Sequence, residues 1–76
     1  MNIVIIGAGA IGGYLGAKLY QAGEKVSLIA RGKHLETIQS QGLRIIEQDS
    51  ETLVKPYATD DYSVVREADY VFLTVK

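Results

Sequence analysis

Residues 3–12 read Ile3-Val4-Ile5-Ile6-Gly7-Ala8-Gly9-Ala10-Ile11-Gly12, and the fold turns on them. A β-branched run that is apolar at every position suits a parallel strand buried on both faces; a half-exposed strand would alternate. The run ends in glycine, and the period then changes. Ile11, Tyr14, Leu15, Lys18, Leu19 and Ala22 follow the i, i+3, i+4, i+7 spacing of one helix face, with the stem of Lys18 laid along it. Gly23 stands where a glycine past the last turn would end that helix.

Gly7, Gly9 and Gly12 form a GxGxxG between that strand and that helix. Each glycine has a physical task. Gly7 permits the tight turn out of the strand, Gly9 removes a side chain that would keep a pyrophosphate off the backbone, and Gly12 lets the helix approach the strand closely. Gly16 extends the small face by one turn. The first N–H groups of the helix and its dipole favour bound phosphate. Gly7 to Gly12, including Ala8, Ala10 and Ile11, therefore read as a dinucleotide-phosphate turn. The other reading is that the glycines serve only a tight strand–helix connection.

The end of the second strand, Lys25 to Ala30, bears on which dinucleotide is bound. An Asp or Glu there would accept from a ribose 2′-hydroxyl and repel a 2′-phosphate. The chain has Leu28-Ile29-Ala30-Arg31 instead, with no acid. The planar cation of Arg31 suits a 2′-phosphate, with Lys33 and His34 as nearby donors, so NADP(H) is the expected cofactor. The alternative is a solvated arginine in a turn.

Beyond Arg31-Gly32, the pattern predicts a helix over Lys33 to Gln41, with Leu35 and Ile38 inward and Gly42 as its stop. Leu43 to Glu47 and Leu53 to Ala58 read as a hairpin or two short strands, the second placed at an edge by Pro56. Asp60 or Asp61 is expected to cap a short helix running to about Ala68 rather than to bind metal. Tyr70 to Val75 is another continuously apolar strand, followed by Lys76. The order describes a doubly wound α/β unit of the Rossmann type, cut after the first three or four parallel strands and carrying a small hairpin.

Composition narrows the function further. The 76 residues carry a net charge of −1, with 47 % apolar and 22 % charged residues, which fits a globular chain and argues against a nucleic-acid binder. Without cysteine there is no thiolate nucleophile, disulfide or Cys-based zinc site. The uncharged N-terminus imitates a signal peptide, but no Lys or Arg precedes it and Gly7, Gly9, Gly12, Gly13 and Gly16 interrupt it. No apolar run approaches the roughly 18 residues of a membrane span, so a cytoplasmic protein with no membrane partner is expected. His34 reads as a helix-start residue, and none of the five tyrosines is assigned to chemistry.

GAGAIGGYLG, then ARGKHLETIQSQGLRI, then ADYVFLTVK together resemble the N-terminal region of ketopantoate reductases (2-dehydropantoate 2-reductases) over nearly the whole chain. The resemblance implies an NADPH-dependent reduction of 2-dehydropantoate, a 2-keto acid, to pantoate in pantothenate biosynthesis. It places the pyrophosphate turn on Gly7 to Gly12, the 2′-phosphate contact on Arg31, and a cofactor-contacting lysine on Lys76. The family's catalytic lysine and substrate-binding residues lie in a later helical domain, so no catalytic residue is assigned here. The 76 residues alone are expected to be inactive and, with the last strand uncovered, to self-associate. A non-catalytic nucleotide-sensing domain and another NADP-linked dehydrogenase are the alternatives. A sensor of that kind typically carries an acid after the second strand.

Overall fold

The chain forms β1 (Asn2–Ile6), α1 (Ala10–Gln21), β2 (Lys25–Ile29), α2 (Gly32–Gln41), β3 (Leu43–Glu47), β4 (Ser50–Val54), β5 (Tyr57–Thr59), a 3₁₀ segment over Tyr62–Glu67, and β6 (Tyr70–Leu73). A computed structural model describes residues 1–7 and 9–74, with Ala10 described by its backbone alone. β1 lies inside a four-stranded parallel sheet ordered β5-β2-β1-β6, and β3 and β4 pair with each other as a separate antiparallel hairpin. Pairing on both edges explains why β1 is apolar throughout: Ile3, Val4 and Ile5 are all buried, although neighbours point to opposite faces.

Both helices cover one face of this sheet. Ile3, Ile5, Val26, Leu28 and Ala58 from three strands share a core with Leu35 and Ile38 of α2, the two positions expected to face inward, and half-buried Leu15 and Leu19 of α1 join it. Gly23 and Gly42 end the helices with φ of +92° and +78°, a conformation that costs glycine little. On the opposite face the 3₁₀ segment leaves a recess of about 300 Å³ lined by Asn2, Val4, Ser27, Tyr57 and Val64. Asn2 anchors that segment: its N–H donates to Asp69 Oδ2 at 2.7 Å and its side-chain amide to the Glu67 carbonyl at 3.1 Å.

Two expectations need correction. The stripe from Ile11 to Ala22 is not the buried face of α1. Ile11, Tyr14, Lys18 and Ala22 are exposed, Leu15 and Leu19 are half-buried, and the helix packs through Gly12, Gly13, Gly16 and Ala17. The reason is distance: a Cβ on Gly16 would lie 2.8 Å from Leu28 Cδ2 and 3.2 Å from Ile5 Cδ1, so the axis sits too close to the sheet for larger residues. Next, Leu53 to Ala58 is not one strand. β4 ends at Val54, Pro56 interrupts, and β5 joins β2 in the parallel sheet, where it is an edge. The short helix expected before β6 is present as a 3₁₀ segment, capped by Asp61 Oδ1, which accepts from Ser63 N–H at 2.9 Å. That N–H holds the Asp61 carboxyl below its usual range.

The close approach at Gly16 is testable. Gly16→Val pushes methyl groups into fully buried Leu28 and Ile5. Overpacking of this kind should lower stability by about 1–3 kcal/mol, read as a fall in the urea midpoint at unchanged slope.

Candidate functional site

The site is built where β1 gives way to α1. Gly7 takes φ of +89° and donates its N–H to the Ile29 carbonyl at 3.0 Å, so the first turn rests on the end of β2. The Gly7 carbonyl accepts from Gly9 N–H at 2.9 Å and from the Thr74 hydroxyl, which also donates to the Ile6 carbonyl at 3.1 Å. A Cβ on Gly12 would collide with the Gly7 carbonyl and the Thr74 hydroxyl. Gly7 and Gly12 are thus glycines for the fold's own reasons.

Gly9 is different. Its φ of −77° and ψ of −158° are open to any residue, and a Cβ there would meet nothing within 4 Å. It is the N-cap of α1, yet offers no side-chain cap, and the first turn holds no acid. Gly13 N–H reaches the Gly9 carbonyl at 2.7 Å and opens the helical ladder. The first N–H groups of a helix have no partner within it, so this end presents donors and partial positive charge to an open surface. A cradle that a side chain would fill fits a phosphate group.

Arg31 occupies the equivalent place after β2. It is the exposed N-cap of α2, in extended conformation, with no side-chain cap bond, and α2 also lacks an acid in its first turn. The bond from Gly7 to Ile29 sets the two turns side by side at the carboxyl ends of adjacent strands, where open α/β sheets bind ligands. A recess of about 330 Å³ opens at the turn, bounded by Gly9, Gly13 and Tyr14, by His34, and by Leu43 to Ile46 of β3. His34 therefore joins the glycine turn, while Arg31 lies outside that lining. Ile11 points to solvent at 78 % exposure. Ala8 and Lys76 lie outside the described residues. Among the described residues, no cluster of His, Asp and Glu could hold a metal ion, and no helix is long and apolar enough to cross a membrane.

Sequence reasoning missed the contact that fastens the hairpin. Glu47, on β3, accepts from the Tyr14 hydroxyl at 3.0 Å and from Lys18 Nζ at 3.1 Å. Lys18, expected to lie along an apolar face, instead pairs outward across α1. The Lys18 and Tyr14 hydrogen bonds hold Glu47 below the usual carboxylate range, and the Glu47 bond holds Lys18 above the usual amine range. A depressed acid contributes stability above its unfolded value and loses it as pH falls through the folded one. A raised base contributes below its unfolded value and loses it as pH rises through the folded one. The contact is therefore intact from above the carboxylate range to below the lysine range. Nothing in the sequence links position 47 to positions 14 and 18.

A parallel sheet with the order β5-β2-β1-β6, a glycine turn and an uncapped helix at its central strand define a Rossmann-like α/β unit. The chain belongs to the ketopantoate reductase PanE/ApbA family, whose model matches residues 3–76. It is 49 % identical over 77 residues to a 2-dehydropantoate 2-reductase of Mesorhizobium japonicum, covering 100 % of this chain and 24 % of that protein. It also resembles a PanE/ApbA family ketopantoate reductase of Ralstonia eutropha JMP134, with 44 % identity and a TM-score of 0.90 over 99 % of this chain and 25 % of that one. A D-mandelate dehydrogenase solved as a ternary complex with NADH and anilino(oxo)acetate matches at 32 % identity and a TM-score of 0.88, over 100 % of this chain and 25 % of that one.

The two kinds of glycine should separate in stability. Gly9→Ala meets open space and should shift the unfolding midpoint little, whereas Gly12→Ala strikes the Gly7 carbonyl and should cost about 1–3 kcal/mol. Denaturant unfolding of the two variants beside the parent checks this.

Proposed function

We propose that this chain is the NADP(H)-binding unit of an oxidoreductase that reduces a 2-keto acid, 2-dehydropantoate, to pantoate in pantothenate biosynthesis. The observation that carries the reading is Gly9: the fold leaves it open on every side and asks nothing of its conformation, so its lack of a side chain serves a ligand. The cofactor, when bound, supplies a hydride for the keto carbon. The N–H groups at the start of α1 bind its pyrophosphate, Gly7 and Gly12 hold their geometry, and Arg31 binds the 2′-phosphate that an acid after β2 would repel. Lys76 is assigned a cofactor contact on the family's pattern.

The chain spans 24 % of its Mesorhizobium relative. We assign the proton donor and the keto-acid pocket to a helical domain beyond these residues. A cytoplasmic location, with no nucleic acid or membrane partner, belongs to the same proposal. The D-mandelate dehydrogenase bound to NADH supports a second reading: another 2-keto acid, with NAD(H). Arg31 at the end of β2, without an acid beside it, favours the first.

Titration of NADPH and NADH separates them. The parent should prefer NADPH. Gly9→Val should lose both cofactors while remaining folded. Arg31→Ala should weaken NADPH about ten- to a hundredfold and leave NADH nearly unchanged. A parent that prefers NADH supports the second reading, and equal losses in Arg31→Ala would make that residue structural.

The 76 residues by themselves should oxidise no NADPH with ketopantoate. Reduction needs a proton donor within about 3 Å of the keto oxygen, and no residue here is assigned that role. β6 is an edge strand whose Tyr70, Val71, Phe72 and Leu73 are 39–69 % exposed, so concentration-dependent self-association is expected in sedimentation. Turnover by a well-folded monomer would overturn both expectations.

A further inference from the structure

Among the described residues, the hairpin forms no backbone pairing with the main sheet, yet Leu43 to Ile46 bound the recess at the glycine turn. Besides its chain connections to α2 and β5, side-chain contacts hold it against α1. Ile45 and Val54 are buried against Ala17 of α1. At the end of β3, Glu47 uses both carboxylate oxygens on α1: Oε2 accepts from the Tyr14 hydroxyl at 3.0 Å and Oε1 from Lys18 Nζ at 3.1 Å. Tyr14 and Lys18 are one turn apart on the same helix face. Tyr14 itself lines the recess, beside Gly13 and Gly9. The other charged pair of the hairpin, Arg44 with Glu51 at 2.6 Å, joins β3 to β4 and does not fasten it to the helix. One carboxylate thus ties the hairpin to the helix whose first turn faces the phosphate cradle.

We propose that Glu47 is a positioning residue for the dinucleotide site: through Tyr14 and Lys18 it fixes β3 as the outer wall of the recess beside Gly9. This rests on the NADP(H) reading above. Glu47 touches no phosphate in this scheme and acts on both dinucleotides alike.

The test measures NADPH and NADH binding and amide exchange in the parent and in Glu47→Ala, Glu47→Gln, Tyr14→Phe and the Glu47→Ala/Tyr14→Phe double variant, well below every unfolding midpoint. There a loss of stability alone cannot weaken binding. Glu47→Ala should weaken both cofactors equally, by about two- to fivefold as for an exposed pair, and speed exchange across residues 43–54. Glu47→Gln, which keeps an acceptor for Tyr14, should recover part of the loss. The double variant should bind no more weakly than Glu47→Ala alone, because the two act as one unit. Unchanged binding in Glu47→Ala, or a changed NADPH-to-NADH ratio, would overturn the positioning role. Failure of the parent to bind either dinucleotide would instead overturn the NADP(H) reading itself.

Discussion

The close approach of α1 to the sheet is the constraint on which the rest depends. Gly12 lies against the Gly7 carbonyl and the Thr74 hydroxyl, and Gly16 against Leu28 and Ile5. With the helix drawn in so far, its first turn starts close to the end of the central strand, with Gly9 as its N-cap and open space where a Cβ on Gly9 would lie. A larger residue at either position would force the helix or its neighbours to shift. The same closeness puts Gly16 directly over the fully buried Ile5 and Leu28, with Leu15 and Leu19 only half-buried beside them, and leaves Tyr14 and Lys18 to reach outward to the hairpin.

Thr74 links the constraint to the far side of the sheet. Its hydroxyl reaches back from the residue after β6 to the carbonyls of Ile6 and Gly7. The turn is therefore held from both neighbouring strands, by Ile29 of β2 and by Thr74. Backbone groups at a binding turn gain most when they need not rearrange, and this turn's hydrogen bonds supply such order in advance. The recess beside it has a softer boundary, because the hairpin is held by a few apolar contacts and one exposed carboxylate.

The two edges of the sheet differ in kind. β5 is three residues long and follows Pro56, features that discourage pairing with another chain. β6 carries no charge, proline or bulge and is apolar on both faces. In relatives of which this chain spans a quarter or less, there is ample further chain to cover such a strand.

The sequence by itself determined the chain of elements and the turn. Continuous apolar runs, a period-3.6 stripe, a GxGxxG between them, and glycines at 23 and 42 are local signals, and local signals survive without knowledge of the tertiary partner. Arg31 without a neighbouring acid was legible for the same reason. What only the tertiary structure decided is which face of α1 turns inward. The stripe from Ile11 to Ala22 is the larger apolar surface, but the available gap is too narrow for it, so the small residues win. Tertiary contacts also split Leu53 to Ala58 between two sheets, since strand pairing depends on partners far along the chain. The same holds for Tyr14, Lys18 and Glu47. Their meeting depends on where a hairpin with no backbone bond to the main sheet comes to rest, and no spacing in the sequence encodes that position.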